Sequence, residues 1–171
     1  MNGLYVRSAH EDERDAIRDM ALAAYEQYGS IMPPPAWEGY QQNIQQTLKE
    51  VELNECIVAV QDTTIVGSVL LYPAKENTGT GVLAGVSWPE IRLLATKPEV
   101  RGQGIGRALM DECIQRTRAA GFTLLGLHTT DMMQIAQNMY IGMGFVHHPE
   151  LDFHPGPDVV VKGYLLRLDT V

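Results

Sequence analysis

The polarity pattern of the first half of the chain predicts two amphipathic helices between strands. Leu4-Tyr5-Val6-Arg7 alternates with the period of a half-buried strand. From Ser8 the period lengthens: Ser8-x-x-Glu11 has the form of a capping box, and Ala16, Ile17, Met20, Ala21 and Ala24 share one helical face. That helix should fray near Tyr28-Gly29, and Pro33-Pro34-Pro35 predict an extended, stiff connector after Ser30. Trp37, Tyr40, Ile44, Leu48 and Val51 then recur at helical spacing. Their aromatic members read either as packing or as lining.

Cys56-Ile57-Val58-Ala59-Val60 and the run Ile65 to Leu71 are continuous apolar strands, close enough across Gln61-Asp62-Thr63-Thr64 to form an antiparallel hairpin, with Gly67 as a candidate bulge. Residues 74–87 are rich in Gly, Thr and Asn without period and predict a loop. Trp88 to Ala95 is the next strand. A helix follows with Ile105, Leu109, Cys113, Ile114 and Thr117 on its buried side and Gly121 as its stop. Leu124 to Thr129 is strand-like, Met132 to Met143 helical, Phe145-Val146 a short strand and Val159 to Leu168 the last. The prolines of 147–157 predict irregular structure, and an exposed edge at the last strand could pair two subunits into a possible homodimer, or its Lys162 and Arg167 could be the charges that keep it from pairing. Hairpins first and helical crossovers later indicate a mixed sheet with helices on both faces.

Composition narrows the class. A length of 171 residues suits a single domain spanning 1–171. No apolar run approaches the roughly 20 residues of a membrane span, and the first residues lack a secretory pattern, so a cytoplasmic location and no membrane partner are expected. A formal net charge of −8 argues against nucleic acid as a partner. Cys56 and Cys113 read as buried thiols. His147, His148 and His154 stand among prolines without a carboxylate at helical spacing, so no metal site is expected.

The chemistry concentrates in Arg101-Gly102-Gln103-Gly104-Ile105-Gly106-Arg107, between the strand that ends before Pro98 and the helix that begins at Ile105. A helix start leaves backbone N–H groups unpaired at the positive end of its dipole, and glycines let an anion approach them, so this stretch suits a phosphate. A dinucleotide fingerprint would need its third glycine where Arg107 stands, and a triphosphate loop would need Gly-Lys-Ser/Thr, which does not occur.

Arg101-x-x-Gly104-x-Gly106 resembles the acetyl-CoA signature of the GNAT (GCN5-related) N-acetyltransferases, and Ala136-x-x-x-Tyr140-x-x-x-Gly144-Phe145 resembles a second segment of that family in the right order. The resemblance implies a GNAT-like α/β (α+β) fold with a mixed, mostly antiparallel central sheet. It also implies acetyl-CoA as co-substrate and transfer of its acetyl group to a primary amine by direct attack in a ternary complex. Its diphosphate would rest on the N–H groups of 102–107, and its pantetheine arm on the strand edge Leu93-Leu94-Ala95, with the Leu94 N–H polarising the thioester carbonyl. Tyr140 would be the proton donor, since a phenol titrating near about 10 is protonated at neutral pH. Tyr25, Tyr28, Trp37 and Tyr40 would line the wall of the acceptor site.

Glu90 shares a strand face with Arg92 and reads either as the base or as a structural pair with it; His128 is a second candidate base or a satisfied core histidine. Met133 stands where the family often has an asparagine that touches the pantetheine arm. A silent acyl-CoA sensor and a transferase for a longer donor are the rival readings. The acceptor, a small-molecule or peptide amine, is not specified by any motif.

Overall fold

The computed structural model describes residues 3–168. Its elements in order are β1 (Leu4–Ser8), α1 (Arg14–Tyr25), α2 (Pro34–Glu50), β2 (Cys56–Gln61), β3 (Thr64–Glu76), β4 (Ser87–Thr96), α3 (Ile105–Ala119), β5 (Leu124–Thr129), α4 (Gln134–Gly142), β6 (Val146–His147), β7 (Phe153–Gly156) and β8 (Val159–Arg167). The eight strands form a mixed, mostly antiparallel sheet, so the chain is an α/β protein of the expected kind. Contacts group the chain into two compact units, one running up to Leu71 and including Leu93–Glu112, the other Tyr72–Arg92 and the chain from Cys113. No helix among the described residues is long and apolar enough to cross a membrane.

In the first unit the strand order is β1-β2-β3-β4. β1 and β2 pair antiparallel, Val6 opposite Ala59, and β2 continues into β3 through a two-residue turn in which Asp62 takes the left-handed φ of 58°. The β2–β3 register shifts between Ala59 and Val60, leaving an extra residue beside Gly67, the position where a bulge was expected. Gly67 has a second task. A Cβ there would stand 2.8 Å from Ile105 Cγ2, 3.0 Å from Leu109 Cδ1 and 3.1 Å from Ala95 O, so the bare backbone is the seat of the first turn of α3.

Three sequence expectations in this unit need correction. The cap of α1 is not Ser8-x-x-Glu11; the Glu13 carboxylate accepts the His10 N–H at 2.8 Å and both terminal nitrogens of Arg7, at 3.0 and 2.6 Å. A carboxylate with these donors is stabilised in its charged form. The Arg7 hydrogen bond outweighs the opposing effect of burial and, with the His10 N–H, lowers its pKa to about 2. Ala16 faces out, and Tyr25 joins Ile17, Met20, Ala21 and Ala24 on the buried face. The three prolines do not make a long connector: Pro33 is the N-cap of α2, and Pro34 and Pro35 open it, where a missing N–H costs nothing. Arg14 closes the far end of α2 by donating to Leu48 O at 3.1 Å and Val51 O at 2.9 Å.

In the second unit the order is β3-β4-β5-β8-β6, with β7 also on β8. β3 runs on through Pro73 to Glu76, so the expected loop shrinks to 77–86, closed by the Asn77 N–H donating to Val86 O at 2.9 Å. β4 and β5 are parallel, with Glu90 opposite Gly126 and Ile91 opposite Leu127. β5 and β8 are antiparallel, Leu127 opposite Tyr164. The expected exposed edge at the last strand is absent, because β8 lies between β5 and β6. The proline-bearing segment is also more ordered than expected: Pro149–Leu151 forms a 3-10 turn, and Phe153–Gly156 pairs with β8 despite Pro155, which a margin strand tolerates. Cys113, Leu125, Leu127, Phe145 and Tyr164 are buried in this unit's core. Gly121, at φ +88°, ends α3 as expected.

Candidate active site

The glycine stretch forms the joint between β4 and α3. Val100 N–H donates to Lys97 O and Arg101 N–H to Pro98 O in a 3-10 turn, and Ala108 N–H donates to Gly104 O as the first helical bond, so the N–H groups of residues 102–107 start the helix without intrahelical acceptors. Gly102 and Gly104 adopt φ of +79° and +81°, and a Cβ at either would meet nothing within 4 Å. They are glycines for their backbone angle, and the space above them is open to an anion. Residues 101–104 are exposed, whereas Ile105 is buried as the helix's anchor.

The two arginines framing the loop are already engaged. Arg101 donates to Ala24 O at 2.7 Å, tying the loop to the end of α1, and Arg107 lies 3.4 Å from Asp111 one helical turn on. Both leave other guanidinium N–H groups for a ligand.

Upstream in the same unit, Leu93 takes a left-handed φ of 54°, one of two non-glycine residues to do so among the described residues. A leucine in that region is strained and turns its peptide out of the regular ladder. The next carbonyl, Leu94 O, accepts the Tyr25 hydroxyl at 2.8 Å. Tyr25 therefore fixes the peptide plane that carries the neighbouring strand-edge groups, and Ala95 is buried behind them.

Tyr25 is also the hub of the expected aromatic group. Its ring lies 5.7 Å from that of Tyr28 and 5.9 Å from that of Tyr40, and Trp37 stacks on Tyr40 at 6.2 Å. Gly29 admits the Trp37 ring, since a Cβ there would come within 2.9 Å of the indole. Burial, helped by Tyr28, pushes the Tyr40 phenol up to about 12, so it stays protonated at any physiological pH.

The second unit contains a cleft of about 720 Å³ lined by Tyr72 to Thr78, Trp88, Glu90, Arg92, His128, Glu150 and Leu151. Its floor exists because Gly126 has no side chain: a Cβ there would lie 2.5 Å from the Trp88 Nε1. Glu90 does not pair with Arg92, the structural alternative expected for it. Its Oε1 stands 2.5 Å from His128 Nδ1, while the Arg92 guanidinium lies 5.1 Å over the Tyr72 ring. The other imidazole nitrogen, Nε2, is 3.1 Å from Leu151 O.

Leu151 reaches the imidazole because β8 has a glycine beneath it, Gly163, where any Cβ would collide with Leu151. Burial pulls the His128 pKa down, but the hydrogen bond and charge of Glu90, with Leu151 O, outweigh it and leave the value raised. Sequence reasoning passed over Trp88, Tyr72, Leu151 and Gly163. An isolated glycine within a strand run was the available signal for Gly163.

Tyr140 is on α4 in this unit, 7% exposed, its ring 5.9 Å from Phe145 in an edge-on contact. Gln137, one turn earlier on the same face, donates to the Tyr164 hydroxyl at 2.8 Å. Met133 is the N-cap of α4. Of the histidines considered for a metal, His147 pairs with Asp152 at 3.0 Å and His148 with Glu150 at 3.1 Å.

A mixed sheet in which one strand leads through a left-handed glycine joint into a helix, and also carries a carboxylate held by an imidazole, is the framework of this α/β protein. The chain belongs to the acetyltransferase (GNAT) family, whose pattern it matches over residues 14–145. It is 33% identical over 88 residues to N-acetyltransferase 8F1 of Rattus norvegicus, which covers 52% of this chain and 38% of that protein. The chain thus spans well under half the length of the curated relatives it matches.

Its fold is similar to that of histone acetyltransferase HPA2 and related acetyltransferase from Corynebacterium glutamicum, with a TM-score of 0.72, 19% identity, and coverage of 100% of this chain and 99% of that one. A GNAT acetyltransferase from Brucella melitensis, solved in complex with acetyl-CoA, aligns with a TM-score of 0.64 and 18% identity over 99% of this chain and 91% of that one.

Proposed function

We propose that this protein is an N-acetyltransferase that moves an acetyl group from acetyl-CoA to a primary amine by direct attack in a ternary complex, with residues 1–171 working as one domain. The observation that carries the reading is the joint at 102–104, where two left-handed glycines open the backbone at the head of α3 in a chain of this family. Relatives named N-acetyltransferase, and a fold neighbour that holds acetyl-CoA, support the same donor.

Bound acetyl-CoA supplies an activated acetyl group on a thiol that leaves as a thiolate. In this reading the N–H groups of Gly102, Gln103, Gly104, Ile105, Gly106 and Arg107 hold its diphosphate, and Arg101 and Arg107 add positive charge. The strand edge Leu93-Leu94-Ala95 pairs with the amide-bearing arm, and the left-handed Leu93 frees that edge from the ladder. Leu94 N–H polarises the thioester carbonyl, and Tyr25, through Leu94 O, holds the following peptide plane, which carries the Ala95 N–H. Tyr140 returns a proton to the departing sulfur, and Glu90 accepts one from the amine.

The family match spans all of these positions. The −8 formal charge and the carboxylates of the Glu90 cleft suit an amine and disfavour nucleic acid. A cytoplasmic location fits the same chemistry, since acetyl-CoA is an intracellular donor.

The test is thiol release from acetyl-CoA across a panel of primary amines, read alongside the acetylated product by mass spectrometry. Amine-dependent release with matching acetylated product is expected. CoA binding without turnover on any amine would overturn the catalytic reading in favour of a sensor.

A further inference from the structure

The Glu90–His128 contact carries more than a choice between two bases. Leu151 O can only accept a hydrogen bond, so His128 Nε2, 3.1 Å away, bears a hydrogen, and this assigns the ring's orientation. Nδ1 then faces Glu90 Oε1 at 2.5 Å. A lone pair and a carboxylate oxygen repel at that separation; the distance belongs to a charge-assisted hydrogen bond with one proton on the line. With that proton the Glu90–His128 pair is neutral, and without it the pair is singly negative. Their side chains are 21% and 26% exposed, and both line the cleft, so the pair is reachable from it.

We propose that His128 is a positioning residue that makes Glu90 and itself a single proton acceptor for the incoming amine. This rests on the acetyl-transfer reading above. In the step, an N–H bond of the substrate ammonium breaks, its electron pair stays on nitrogen, and the proton ends on the Nδ1–Oε1 line. The pair goes from net −1 to zero while the amine loses its positive charge, so charge and atoms balance. The Pro149–Leu151 strap is part of the device, because Leu151 O fixes the tautomer that leaves Nδ1 for Glu90.

Arg92 on β4 opposes an imidazolium, and Phe153 on β7 packs at 5.4 Å without charge. β8 presents Gly163, and the strap presents Glu150, which is engaged by His148. Lys75 and Glu76 at the end of β3 line the same cleft with opposite charges. The balance leaves the His128 value raised above 6.5, first against burial and then through Glu90, so the pair becomes competent as a base only as pH rises past that value. A solitary carboxylate would be competent from about pH 4–5 upward.

The experiment compares kcat–pH profiles of wild type and His128→Asn with one amine, whose own ionisation is common to both. Asparagine places a non-titrating N–H where Nδ1 stands, so it seats Glu90 but cannot share a proton. The expected result is an acidic limb that falls by about one pH unit or more in His128→Asn, with Glu90→Gln losing about a hundredfold or more in kcat. An unchanged limb in His128→Asn would mean a purely structural histidine and overturn the proposal.

NMR titration of the imidazole gives an independent reading without turnover. The ring is expected to titrate above 6.5 in wild type and to drop in Glu90→Gln; equal values would overturn the shared proton. If the imidazole behaves as expected but no amine is acetylated at any pH, the shared proton stands while the base role fails together with the acetyl-transfer reading.

Discussion

Replacing Gly67 by alanine tests whether the glycine joint depends on how α3 is seated. The added carbon would stand 2.8 Å from Ile105 Cγ2, 3.0 Å from Leu109 Cδ1 and 3.1 Å from Ala95 O. Neither side chain has room to yield, since Ile105 is 2% and Leu109 0% exposed, and the carbonyl is main chain. Inserting a methyl group into such a site costs about 1–3 kcal/mol. Alanine recovers about 0.4–1 kcal/mol by restricting the unfolded chain. The clash wins by about 1–2 kcal/mol, which for a chain of this size lowers Tm by roughly 2–8 °C.

Ile105 is the first residue of α3, so the strain falls on the turn that presents the N–H groups, and CoA affinity should weaken in parallel. Gly39→Ala on exposed α2, where a Cβ would meet nothing within 4 Å, is the matched control and should hold or raise Tm. Differential scanning calorimetry of both variants, with CoA titration, decides it. A Gly67→Ala protein as stable as Gly39→Ala, with unchanged CoA affinity, would refute the packing argument.

Tyr140→Phe should lower kcat about a hundredfold or more while leaving CoA affinity within about twofold, as expected of a proton donor, and equal loss of both in calorimetry and steady-state kinetics would contradict that role. Glu13→Gln should cost about 1.5–3 kcal/mol at pH 7, the range for a hydrogen bond to a charged group, measured by urea unfolding. Because the Glu13 carboxyl is lowered to about 2 from 4.5, its contribution is complete above pH 4.5 and is lost as pH falls toward 2, so wild type and variant should converge there.

The legible parts of the fold are those governed by local period. The helical faces from Ile17 to Ala24 and from Ile44 to Leu48 could be read off the chain, as could the hairpin across Asp62 and the stop at Gly121. The glycine joint was legible for the same reason, since left-handed φ at residues 102 and 104 is a local demand that glycine meets.

What stayed hidden depends on groups distant in sequence. Glu90 and His128 are 38 residues apart and meet only because β4 and β5 are parallel neighbours, and Leu151 reaches the imidazole only across Gly163. The expected Ser8-x-x-Glu11 cap gave way to Glu13, which accepts the His10 N–H and is held by both terminal nitrogens of Arg7, while Glu11 pairs with Arg14. β7 formed despite Pro155 because a strand at the margin of β8 does not need every N–H, which no local pattern of His and Pro announces.

Isothermal titration of CoA into wild type, Gly104→Glu and Gly104→Lys tests the central claim most directly. Both substitutions impose the same strain at φ +81° and add similar bulk, but they bring opposite charge to the place assigned to a diphosphate. The expected result is tight binding by wild type, a loss of about a hundredfold or more in Gly104→Glu, and a Gly104→Lys protein within about tenfold of wild type. Equal CoA affinity in all three proteins would contradict it.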